Sequence, residues 1–379
     1  MEYTRLEDIN QYKGEGINPL KTPDKIFELY SVPEFDSGRP EVIKGRDIGS
    51  SKATVKKNDI LLCKINPRIN RVWVVGDYTE YQSIASSEWI VVRNNEYNPE
   101  YLAWYFRTPR FKKLMTSQVT GIGGSLTRAQ PKQVKKYPVP VLNRNEQDEV
   151  VNVLNKADEI IALKKKELEQ LDTLIKARFV EMFGDPIINN RNWKTLPLQE
   201  VCEGIGDGLH GTPTYDENGK IPFINGNNLD NGRLVITQST KMVDEGTYLK
   251  NYIDISSNAV LVSINGSLGR LAFFNNEKVM LGKSVCYCNL KSYMNRSFVY
   301  ALMSSEPFKH FLESNSTKST IKNVGLKAMR EFRIIIPPEM LQREFSAFVS
   351  QVDKSKSVVQ KSLDETQVLF DSLMQKYFG

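Results

Sequence analysis

The side chains able to do covalent chemistry are few. The 379 residues include two histidines, His210 and His310, and four cysteines, Cys63, Cys202, Cys286 and Cys288. General acid–base or triad catalysis leans on histidine, so little is available beyond carboxylates, which serve some hydrolases alone. Gly282-Lys283-Ser284 imitates the end of a phosphate-binding loop, but the glycine required five residues earlier is Glu277. Cys286-X-Cys288 has only the two histidines to complete a metal site, so it reads as a pair of core thiols. The sole Pro-Pro, Pro337-Pro338, lies between Ile336 and Glu339 and lacks the Asn/Asp/Ser and aromatic flanks of a loop that methylates base amines. The expectation is a non-catalytic chain with no cofactor and no metal.

The elements that would carry any other function are set out by an internal repeat. Residues 147–184 align with 342–379 at a constant offset of 195, from Gln-X-Glu to Phe-Gly. Each follows a Pro-containing apolar strand, YPVPVL (137–142) or FRIIIPP (332–338). Upstream, 101–114 matches 298–311, and VIKGRDI (42–48) matches FINGNNL (223–229). A duplicated chain of the form A-B-A′-B′ follows.

In both B segments the apolar spacing is that of a coiled-coil heptad. The first seam reads Val150, Leu154, Ala157, Ile161, Lys164, Leu168, Leu171, Ile175, Arg178 and Met182. The second reads Phe345, Val349, Val352, Lys356, Val359, Leu363, Thr366, Phe370, Leu373 and Tyr377. Neither contains Pro or Gly before its end, so each predicts a helix of roughly 55 Å at 1.5 Å per residue. Gly184-Asp185-Pro186 is a helix stop. Compact pairing of the two helices requires them to run antiparallel, giving a dumbbell with two similar heads and an approximate internal twofold. The expected fold class is α+β, with domains at 1–144 and 185–338 and long helices at 145–184 and 339–379. Runs such as 59–65, 71–78, 87–92, 259–264 and 284–290 read as head strands, and Pro99–Met115 and Ser297–Glu313 as head helices.

Charge divides along the same lines. The net charge of +6 resolves into +7 over 1–145 and +3 over 185–338, against −3 over 146–184 and −1 over 339–379. A polyanion would be drawn to the heads, leaving the acidic helices for protein partners. No apolar run is long enough to span a bilayer and the start, MEYTRLEDIN, has no signal-peptide pattern, so the expected location is cytoplasmic, with free thiols.

Two basic heads, each followed by a long helix through PVPVLNRNEQDEV (138–150) or IIIPPEMLQREF (334–345), resemble the specificity (S) subunit of type I restriction-modification systems. IPFINGNNLDNG (221–232) and LVSINGSLGRLAF (261–273) are also typical, whereas LLCKINPRINRVW (61–73) in the first head lacks the Gly-Ser-X-Gly element. The resemblance covers the whole chain. It implies that each head reads half of a split double-stranded DNA target, that the helices set the spacing and bind methyltransferase subunits, two in number, and that restriction subunits join the full complex. A stand-alone architectural DNA-binding protein, an enzyme with an unrecognised site and a coiled-coil scaffold are the alternatives.

Candidate DNA contacts are polar and basic residues in head turns. In the first head they are Lys44, Arg46, Lys64, Arg68, Arg71 and the Gly121-Ile122-Gly123-Gly124-Ser125 loop with Thr127 and Arg128. In the second they are Asn225, Asn227, Asn228, Ser267, Arg270, Lys318, Ser319, Thr320 and Lys322. Arg and Lys can read guanine, Asn can read adenine, and hydroxyls and backbone amides can hold phosphates.

Overall fold

The computed structural model describes residues 2–121, 127–186 and 188–379. The chain separates into two compact units, 1–165 with 362–379, and 166–361. Two forty-residue helices, Arg144–Phe183 and Glu339–Phe378, contribute to both. The first stops where expected: Gly184 takes φ +76°, a left-handed conformation that costs glycine little, and its N–H bonds the Val180 carbonyl at 2.8 Å.

All twenty seam positions are buried or half-buried, including Lys164, Arg178, Lys356 and Thr366. The periodicity therefore identifies the inward face even where the residue is polar. Within the second unit the helices run antiparallel. Lys356 Nζ lies 2.5 Å from the Asp172 carboxylate, Arg178 Nη2 is 2.9 Å from Glu344, and the rings of Phe179 and Phe345 meet edge-on at 5.6 Å. In the first unit, Val150, Val151 and Leu154 from the start of one helix share a core with Phe378 from the end of the other.

The two units repeat one plan. In the first, Ile60–Cys63 is flanked antiparallel by Val72–Val74 and Trp89–Val92. In the second, Ala259–Ser263 is flanked in the same way by Leu271–Phe273 and Val285–Leu290. A strand from the start of each unit pairs antiparallel with the strand leading into the long helix: Glu2–Arg5 with Pro138–Val141, and Lys194–Pro197 with Arg333–Ile336.

Two expectations are corrected. The match of 42–48 with 223–229 does not hold. Ile221–Ile224 runs parallel to Met280–Leu281, and the first-unit strand in that place is Ile26–Tyr30, parallel to Gln82–Ala85. Glu41–Lys44 is instead an edge strand antiparallel to Ile26–Tyr30. Each head helix is also broken in two, Pro99–Arg107 with Pro109–Ser117, and Arg296–Met303 with Glu306–Ser314. Proline forces the break: Thr108, before Pro109, is extended, and its hydroxyl caps the next helix by accepting the Phe111 N–H at 3.2 Å.

The Gln of each Gln-X-Glu motif ties the head to its long helix. The Gln147 side chain accepts the Asn98 N–H at 2.7 Å and donates to the Leu142 carbonyl at 2.8 Å. Gln342 does the same with Asn295 at 2.9 Å and Pro337 at 2.9 Å. Both glutamines are buried, at 2% and 1% exposure, so their amide groups have no water to fall back on. Gln147→Leu or Gln342→Leu leaves a backbone donor and acceptor unpaired and should cost about 2–4 kcal/mol. Urea unfolding of the full chain checks this; a loss below about 0.5 kcal/mol, within the range of ordinary surface substitutions, would show that the amide does not hold the junction.

Candidate nucleic-acid interface

In the first unit the loop 64–71 joins strands Ile60–Cys63 and Val72–Val74 and is fixed at several points. Asn66 N–H bonds the Thr127 carbonyl at 2.9 Å, Ala129 N–H the Lys64 carbonyl at 2.8 Å, and Lys64 N–H the Glu88 carbonyl at 2.9 Å. Arg128 lays its guanidinium on the Glu88 carboxylate at 3.2 and 3.3 Å. Lys64, Arg68, Arg71, Thr127 and Arg128 are thereby gathered on one loop pair, with Arg128 occupied as a strut. Arg68 is exposed on the short helix Pro67–Ile69. Burial pushes the Cys63 thiol up, opposed by the Arg71 charge.

The second unit builds the same pair from different residues. Gly266 N–H bonds the Lys322 carbonyl at 2.9 Å, Val324 N–H the Ile264 carbonyl at 2.8 Å, and Asn265 Nδ2 the Asn323 Oδ1 at 3.0 Å. Bridges Ile65–Arg128 and Asn265–Asn323 hold equivalent places. Arg71 and Arg270 are also equivalent, each carbonyl accepting from the last residue of the facing strand, Cys63 at 3.1 Å or Ser263 at 2.9 Å. The missing Gly-Ser-X-Gly element is explained here. Where the second loop uses Gly266 (φ +76°) and Gly269 (φ +77°), the first uses Asn66 (φ +50°) and Asn70 (φ +57°) in a loop one residue longer. Asparagine tolerates the left-handed region better than other side chains, so the backbone path survives without the motif.

The second pair brings together Ser267, Arg270, Lys318, Ser319, Thr320 and Lys322, all exposed. Buried Ser263 shapes the turn, donating to the Ser267 carbonyl at 2.5 Å and accepting the Arg270 N–H at 2.8 Å. Asn227 is exposed and its carbonyl lies 3.5 Å from Arg270 Nη1. Asn225 and Asn228 are spent on their own turn. Asn228 Oδ1 accepts the Asn225 N–H at 3.0 Å, while its Nδ2 donates to Val235 O at 2.9 Å and Thr240 Oγ1 at 3.1 Å. Asn225 Oδ1 accepts the Ser284 hydroxyl at 3.0 Å. Neither amide is free for bidentate adenine reading.

Other candidates fall elsewhere. Lys44 and Arg46 belong to the edge-strand end of the five-stranded sheet, and Arg46 is paired with Asp24. Ile122, Gly123, Gly124 and Ser125 lie outside the described residues. Cys286 and Cys288, two apart on one strand, share a face and are both buried with Cys202. The Cys202 thiol is pushed up by its hydrogen bond with Cys288 and by burial. The buried carboxylates are structural. Glu28 accepts hydroxyls from Tyr30, Thr79 and Ser83 at 3.0, 2.7 and 3.1 Å. Asp59 takes a two-point bond from Arg93 at 2.8 and 2.7 Å. Among the described residues no cluster of three or more His, Cys, Asp or Glu could hold a metal ion, and no helix is long and apolar enough to cross a membrane.

Comparison with known proteins points one way. Residues 190–366 match the Type I restriction modification DNA specificity domain. A putative type I restriction enzyme MjaX specificity subunit of Methanocaldococcus jannaschii is 21% identical over 97% of this chain and 90% of its own length. The type I restriction enzyme MjaIX specificity subunit of the same organism is 24% identical over 73% of this chain and 67% of its own. In fold, the chain resembles a component of a type I R-M system solved to describe complex assembly and conformational transition, at 20% identity and TM-score 0.60, covering 100% of this chain and 97% of the other. It resembles the type I restriction-modification S subunit from M. genitalium at 15% identity and TM-score 0.60, covering 100% and 96%.

Proposed function

We propose, from the match of residues 190–366 to the type I restriction modification DNA specificity domain, that this chain is a specificity subunit whose two heads, 1–144 and 185–338, each read one half of a bipartite double-stranded DNA target. The long helices, 145–184 and 339–379, set the distance between the half-sites and carry methyltransferase subunits, two per chain. The chain itself does no catalysis. The observation that carries this reading is the recurrence of one loop pair in both units, built from different residues and bearing exposed cations each time: Arg68 in the first, Arg270, Lys318 and Lys322 in the second. A shared backbone frame with unlike side chains suits two heads that bind the same polymer at different sequences. For the partners, the helices leave Ile160, Leu163, Val358, Val368 and Leu369 exposed, apolar area of the kind that marks protein interfaces.

The helices as rulers can be tested. Inserting four residues into both, between Leu163 and Leu168 and between Val358 and Leu363, lengthens each by about 6 Å. That is roughly two base pairs at about 3.4 Å each. The insert adds about 40° beyond a full helical turn, and two base pairs rotate a half-site by roughly 70°, so compensation is partial. The variant should keep both half-site sequences, prefer a spacer longer by one or two base pairs, and bind more weakly. Binding or methylation across duplexes of fixed half-sites and variable spacing measures this. An unchanged optimum in a folded variant would assign the ruler to the partners instead.

A further inference from the structure

The segment Asp207–Pro213 of the second unit lies outside the loop pair, yet it holds one exposed side chain in a fixed pose. His210 is 72% exposed, and its Nε2 lies 2.8 Å from the carboxylate of Asp207, whose side chain is 15% exposed. An ionised carboxylate only accepts, so Nε2 carries the hydrogen and Nδ1 is the nitrogen left for a ligand. Exposed pairs of this kind add little to stability, so stability does not account for committing a mostly buried carboxylate to a surface imidazole.

The backbone beneath is equally fixed. Leu209 N–H bonds the Leu281 carbonyl at 2.8 Å and Lys283 N–H the Leu209 carbonyl at 3.0 Å. A Cβ on Gly208 would fall 2.0 Å from the Leu281 oxygen, so this approach requires glycine. Leu209 and Gly282 bridge in parallel, and each is followed by an exposed residue, His210 and Lys283. Beside Lys283, Ser284 is the hub of the interface. Its carbonyl accepts the Ile264 N–H at 3.0 Å, at the root of the Arg270 loop, and its hydroxyl accepts the Gly226 N–H at 3.0 Å.

We infer that His210, oriented by Asp207, forms with Lys283, the two residues that follow the Leu209–Gly282 bridge, a phosphate-binding site for the DNA backbone on the second unit, continuous with the loop pair. In its imidazolium form the ring donates from Nδ1 as well as from Nε2. Together with the Lys283 ammonium it offers the charge and the directed donor that a phosphodiester takes. The site positions the duplex and carries no sequence preference of its own. This rests on the DNA-reading function proposed above. His210 and Lys283 touch the phosphate, and Asp207 is a positioning residue.

The chain holds only two histidines, so the imidazole region of a ¹H–¹³C spectrum of the full chain contains two sets of signals, told apart by His310→Ala. Adding a mixed-sequence duplex of about 30 base pairs in low salt should shift the His210 signals and leave His310 in place. His210→Ala and Lys283→Ala should each weaken binding about 5-fold, by the same factor on unrelated duplexes, and Lys283→Ala should lower the salt slope by about one. Asp207→Asn should move the His210 signals in the free protein and shrink their response to DNA. An unmoved His210 on a bound duplex, with His210→Ala within 2-fold of the parent, overturns the site while loop-pair variants still report on DNA reading. If the chain binds no duplex at all, both fall.

Discussion

Phe378→Ala should destabilise the first unit by about 3–5 kcal/mol, the range for emptying a buried phenylalanine site. Phe378 is 2% exposed, with its ring 5.4 Å from Tyr101 and 5.9 Å from Tyr105. Its repeat partner Phe183 is buried in the second unit at 4.7 Å from Phe298 and 5.5 Å from Phe345. Each long helix thus ends by inserting a phenylalanine beneath the first head helix of the unit it reaches. The fluorophores allow a unit-specific readout: Trp73, Trp89 and Trp104 lie in the first unit and Trp193 in the second. Urea unfolding followed by tryptophan emission should show an early transition for Phe378→Ala and none for Leu369→Ala, an exposed neighbour. A loss below about 1 kcal/mol would mean that the helix end is not part of the core.

The second large effect is on DNA. Lys318→Glu with Lys322→Glu reverses two exposed cations on the loop pair of the second unit. Every phosphate that goes un-neutralised takes close to one off the slope of log affinity against log salt, so the double variant should bind a duplex about 100-fold more weakly near 100 mM salt, with a slope smaller by roughly two. Lys44→Glu changes the net charge by as much per site but sits on an edge strand of the first unit that belongs to neither loop pair, and it should alter affinity less than 3-fold. Fluorescence anisotropy across a salt series distinguishes the two. Equal losses from Lys44 and from Lys322 would show that net charge, not the loop pair, governs binding.

What the sequence alone made legible follows from what each inference requires. The heptad needs only residue class at a fixed spacing, so it identified the buried face of both long helices through every position, Lys164 and Thr366 included. The head strands were legible for the same reason. The kinship of 61–73 with 261–273 was obscured because backbone conformation, not residue identity, is what the two loops share: Asn66 and Asn70 adopt the left-handed turns that Gly266 and Gly269 adopt in the other unit. Asn225 and Asn228 looked free because composition does not reveal which amides a turn consumes. Gln147 and Gln342 stood out as a repeat, but their role depends on a backbone N–H about fifty residues away. His210 gave no signal beyond its rarity, since the carboxylate and the strand that orient it are matters of packing.

The central claim, two heads reading two half-sites held at one separation, is tested most directly by selecting bound duplexes from a randomised library with the chain assembled on its methyltransferase subunits. The account predicts two short conserved blocks separated by a stretch of constant length and no preference, with Lys318→Glu and Lys322→Glu degrading one block and leaving the other. A single contiguous block, or two blocks at variable separations, would contradict it.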